Sequence, residues 1–204
     1  MKQNLKESNR ETDKFFTQDP GAFYFNNEGE ARGHSVHGGS RYRFEKAKTE
    51  AEKAVEPIEE IIDHVNDLFA KIGIAKVENP RMNPQDINYE KIMVEHQLED
   101  ERDIIWMKFT DDGYLGVIAQ SNDINFDIPD SVDDYDKKNG KNWLYKTSGI
   151  LIHSLHKQWD KTFVLVFPLH REGCIYSRHD IETAVGNYLI EKGVPILDYY
   201  SHNY

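Results

Sequence analysis

A chain of 204 residues, 38% of them hydrophobic and 30% charged, is long enough for one cored domain plus an arm. No apolar run approaches the roughly 18 residues needed to cross a bilayer, and the opening "MKQNLKESNRETDK" has no apolar stretch of the kind a secretory signal carries. The formal net charge is −11, and the acidic middle of the chain argues against duplex nucleic acid as a partner, because such binding needs clustered Lys and Arg.

The charge is unevenly spread. Residues 1–43 carry +1, residues 44–103 carry −8, residues 104–136 carry −7 and residues 137–204 carry +3. An acidic middle suits a basic protein partner or simple solubility. Cys174 is the sole cysteine, so no internal disulfide forms and a reducing, cytoplasmic setting is expected.

Residues 1–43 are polar and Gly-rich and read as an arm, with Phe23, Tyr24 and Phe25 as apolar anchors. Such an arm either packs back on its own domain or reaches a neighbouring chain to form an oligomer. Residues 44–73 read as helical. "FEKAKTEAEKAVE" has strong helix formers, Pro57 kinks or restarts the helix, and Ile58, Ile61, Ile62, Val65, Leu68, Phe69 and Ile72 recur at helical spacing up to Gly73. Glu52, Glu56, Glu60, Asp63 and Asp67 form an acidic stripe on the opposite face, either a solvated face or a docking face for a basic partner.

Asn83 followed by Pro84 reads as a capped start, with "INYEKIMV" either helix or strand. Residues 104–120 are a β-hairpin around Asp111-Asp112-Gly113, and residues 121–142 an acidic loop. Residues 148–200 read as helix, strand, helix, strand. Ser148 caps the first helix, and Phe163 to Leu169 form a strand covered on both faces. Asp180 caps a helix with the stripe Ile181, Ala184, Val185, Tyr188 and Leu189. Gly193 ends that helix, and "VPILDYY" is the final strand.

These elements describe a single α+β domain over residues 44–204, with α/β as the alternative: N-terminal helices, a central β-hairpin and a C-terminal βαβ unit on a mixed sheet. In a right-handed βαβ unit the two parallel strands end on the same sheet edge, where the connecting helix begins. His170, Arg171, Arg178, His179, Ser201 and His202 would meet there as an anion site for a phosphate or carboxylate. The alternative is that these are only the polar residues found wherever strands end, since no glycine-rich phosphate loop accompanies them.

Other chemistries find less support. Cys174, His170, His179 and His202 have ligand-type side chains but no compact zinc spacing, and His153/His156 and His34/His37 are isolated pairs, so no metal or cofactor is expected. Asp123, Asn125, Asp127 and Asp134 match four calcium-loop positions, but Ile128 stands where that loop needs Gly. A metal-dependent nuclease would use Asp130 and Asp136-Lys137-Lys138, yet the gap is too short for two paired strands. Ser148, Ser154, Ser177 and Ser201 lack a nucleophile elbow, and Cys174 is a lone thiol, so no catalytic residue is assigned.

The expectation is a non-enzymatic protein-binding protein, of the accessory, inhibitor or immunity type known from bacteria and phage, using the acidic surface and the arm. A small phosphorylated-ligand enzyme or sensor at the His/Arg edge is the second reading, and a metal-dependent nuclease the third.

Overall fold

The computed structural model describes residues 10–16, 24–25, 31–32, 44–124, 126 and 148–198. Its elements are α1 (Arg10–Asp13), β1 (Tyr24–Phe25), β2 (Ala31–Arg32), α2 (44–50), α3 (Ile58–Ile72), β3 (Arg81–Met82), α4 (Tyr89–Glu95), β4 (Ile104–Phe109), β5 (Leu115–Gln120), α5 (Ser148–Ser154), β6 (Val164–Pro168) and α6 (Arg178–Glu191). The class is α+β: helices surround an antiparallel four-stranded sheet of order β3-β6-β4-β5, and β1 and β2 form a separate antiparallel pair. Among the described residues, no helix is long and apolar enough to cross a membrane.

Strand alternation divides the core into two layers. Ile105, Met107, Phe109, Leu165 and Phe167 face α3 and α6, where they meet Ile61, Val65, Leu68, Phe69, Ile181, Val185 and Leu189. Ile104, Trp106, Val164 and Val166 face the other way, toward Ile92 of α4, Ile152 of α5 and Trp159. Both faces of β4 and β6 are therefore covered, which explains their unbroken apolar sequence.

Pro57 restarts the helix. It precedes α3, and Gly73, at φ +82°, closes that helix with its N–H on the Phe69 carbonyl. Asn83 accepts from the Gln85 amide in a 3-10 turn and Asn88 accepts from Lys91 N–H, so "YEKIMVE" takes the helical alternative. The expected hairpin is present, with Gly113 at φ +92° in its turn and a bulge that leaves Gly116 without a partner on β4. Residues 10–16 pack back on α6: the Phe15 carbonyl accepts from Asn187, and the Phe15 ring meets Tyr188 edge-on at 4.9 Å.

Two details of the C-terminal third differ from expectation. The cap of α6 is Ser177, whose hydroxyl accepts from the Asp180 N–H while the Asp180 carboxylate accepts from the Ser177 N–H. This reciprocal capping box moves the helix start three residues earlier, so Arg178 and His179 lie inside the first turn. The final segment does run parallel to β6, but β4 and β5 lie between them, and among the described residues it meets the sheet through a single parallel bridge, Ile196 to Leu115. β6 pairs with β4 through four residues, and the last segment lies along the edge strand β5 instead. Pro195 has no N–H for a longer ladder.

Candidate functional site

Antiparallel pairing brings the start of β4 beside the end of β6, with Ile104 opposite Pro168. The Leu169 N–H donates to the Asp103 carbonyl at 2.8 Å, which sets the Asp103 side chain under the loop that carries His170 and Arg171. The Asp103 side chain is fully buried. Arg171 forks onto it, with Nη2 at 3.0 Å from both carboxylate oxygens and Nε at 3.2 Å from Oδ1. Arg178, from the first turn of α6, adds Nη1 at 3.4 Å from Oδ1. Hydrogen bonding to Asp103 holds the Arg171 guanidinium above its ordinary pKa.

Further carboxylates surround the same pair. Glu99 lies 3.5 Å from Arg171, and Asp100 lies 3.7 Å from Arg178. Asp100 also accepts from the side chain and backbone of Arg102, which lower its pKa to about 2. Two guanidinium groups thus face three carboxylates, with a third arginine occupied beside them. A phosphate entering here would have to displace a buried charge-assisted fork.

Of the candidate anion-site residues, Arg171 and Arg178 meet at Asp103, whereas His170 and His179 have other partners. The half-buried His170 ring sits 5.8 Å from that of His96, edge to face. His179 is exposed, and its Nδ1 lies 3.3 Å from Glu182 Oε2. Glu182 is itself buried and accepts from the Gln120 N–H with its other oxygen, so it caps the outer edge of β5. Ser201 and His202 lie outside the described residues, as do Asp127, Asp130, Asp134 and Asp136. Cys174 is half-buried and packs against the core near this loop. The Ser148 hydroxyl donates to the buried carboxylate of Asp198 at 2.5 Å.

The acidic stripe divides in two. Asp67 accepts from Lys71 at 2.8 Å and from the Tyr188 hydroxyl, tying α3 to α6. These two bonds, Lys71 first, lower its pKa, while burial and the bond to Asp67 raise that of Tyr188. Glu52, Glu56, Glu60 and Asp63 have no ion-pair partner among the described residues, and all but the half-buried Glu56 are exposed. Along this stripe the ligand atoms of Glu56, Glu60 and His64 lie within 4.8 Å of one another.

Sequence reasoning did not single out Asp103, Glu99 or His96. The available signal was a carboxylate directly before the buried run "IIWMKF", but its partners lie 68 and 75 residues away. No protein-family model, curated protein or solved structure matches this chain.

Proposed function

We propose that this chain is a non-enzymatic protein-binding protein, of the accessory, inhibitor or immunity type, that offers the acidic row leading into α3 and its N-terminal arm to a basic partner. The observation that carries this reading is the row Glu52, Glu56, Glu60 and Asp63, whose carboxylates have no ion-pair partner among the described residues. Glu60 and Asp63 stand on α3, whose other side is locked into the core by Ile61, Val65, Leu68 and Phe69, and Glu52 and Glu56 precede it in the non-helical stretch 51–57. A row of like charge anchored at one end on a packed helix steers and orients a complementary surface. The small-phosphate reading loses support because Arg171 and Arg178 are already engaged by Asp103, Glu99 and Asp100.

The test is affinity capture with mass spectrometry, followed by binding of the purified partner to two variants. Reversal of Glu52, Glu56, Glu60 and Asp63 to Lys should abolish binding, and raising salt from about 0.05 to 0.5 M should weaken it for the unaltered chain. Arg178→Ala with His179→Ala should leave it intact. A partner held equally well by the charge-reversed chain sinks the reading.

A further inference from the structure

The junction between residues 51–57 and α3 places three ligating side chains four residues apart: Glu56 just before Pro57, Glu60 in the first turn, and His64 one turn later. That spacing puts Glu60 and His64 on one face of α3, and Glu56, the non-helical residue before the Pro57 cap, comes alongside them. One carboxylate oxygen from each Glu and one imidazole nitrogen all lie within 4.8 Å of one another. Small rotamer adjustments bring such a set to the separations required around a small divalent ion.

Among the described residues, the nearby cations are engaged elsewhere. Lys46 and Lys53 lie against Glu50, and Lys71 lies against Asp67 two turns farther along. Among the described residues neither Glu56 nor Glu60 has an ion-pair partner. The acidic pair therefore has its charge unbalanced, and the imidazole beside it adds a nitrogen donor that a merely solvated acidic face does not need.

We propose that Glu56, Glu60 and His64 bind a divalent transition-metal ion of the Zn²⁺ class. A nitrogen donor with two carboxylates favours Zn²⁺, Ni²⁺ or Co²⁺ over Mg²⁺ and Ca²⁺, which prefer all-oxygen shells. Three protein donors leave a coordination position open to water or to a donor from another molecule. The site goes beyond the protein-binding reading and stands without it, because the three donors come from one chain.

The test is calorimetric titration of the full chain with ZnCl2, in a His34→Ala, His37→Ala background that removes the histidine pair of the arm. The expected result is saturable uptake at this site. Affinity should fall about tenfold or more in Glu60→Gln and in His64→Ala, stay unchanged in Glu59→Gln, and be undetectable with MgCl2. Glu60 is exposed and its replacement is isosteric, so that variant remains informative if His64→Ala, at a half-buried position, fails to fold. Absence of saturable Zn²⁺ uptake, or uptake that Glu60→Gln leaves unchanged, overturns the proposal.

Discussion

Arg171 and Asp103 form a forked ion pair across the end of the sheet, with the carboxylate at 0% exposure and the guanidinium at 22%. The asymmetry matters, because the partner left behind after a substitution is either a stranded buried anion or a cation that still reaches water.

Arg171→Ala is therefore expected to cost about 3–5 kcal/mol, since it leaves the buried Asp103 carboxylate with only the longer side-chain contact from Arg178. Arg178→Ala removes only the longer contacts to Asp103 and Asp100 from a side chain that is 25% exposed, and about 1 kcal/mol is expected. Urea unfolding of the two variants checks the order. Equal losses would mean that Arg171 is not the main partner of Asp103.

Asn66 is buried in α3, where its side chain makes two bonds to the backbone of Val77: Nδ2 donates to the carbonyl at 3.0 Å and Oδ1 accepts from the N–H at 2.8 Å. Asn66→Ala leaves both backbone groups unsatisfied, and a loss of about 2–4 kcal/mol is expected. Hydrogen exchange at the Val77 amide should accelerate along with it. Unchanged protection there would show that this bond does not hold the segment after α3.

Gly116 lies at the bulge against Trp159. A Cβ added there would sit 2.3 Å from Cζ3 of the indole and 3.3 Å from the Lys108 carbonyl oxygen. Trp159 is buried and cannot swing into solvent, so Gly116→Ala should cost about 1–3 kcal/mol through overpacking. Tryptophan fluorescence and thermal unfolding report this directly, and a wild-type spectrum with a wild-type midpoint would contradict the packing.

Tyr188 and Asp67 predict opposite responses to pH. The Asp67 carboxyl titrates lower in the folded chain, so its contribution is present above the unfolded value of about 3.9 and is lost as pH falls through the folded value. The Tyr188 phenol titrates higher, so its contribution is present below about pH 10 and is lost as pH rises through its folded value. Tyr188→Phe should cost about 1 kcal/mol at neutral pH, soften the acid limb and flatten the alkaline limb. Parallel stability–pH curves for the two proteins would rule out this coupling.

Local pattern was enough for the elements themselves. The apolar stripe of α3, the hairpin turn at Asp112-Gly113 and the continuously apolar β6 each follow from short-range periodicity and turn chemistry, which depend only on neighbouring residues. The restart at Pro57 was half-legible: the missing N–H was evident, but whether the chain kinks or breaks there depends on what packs against it. The cap of α6 was misplaced by three residues because Asp180 and Ser177 serve one capping box, and either residue alone looks like a cap.

The candidate site was legible as composition and not as arrangement. His170, Arg171, Arg178 and His179 were visible as a polar cluster, and the split of the acidic row into a structural Asp67 and unpaired neighbours was not. Which strand lies beside β6 is settled by competition among long-range pairings, and β4 takes that place through four paired residues. That outcome sets the buried carboxylate of Asp103 beneath Arg171 and Arg178. It also separates the final segment from β6 by two strands, a consequence of closing loops over scores of residues that no local reading of the chain contains.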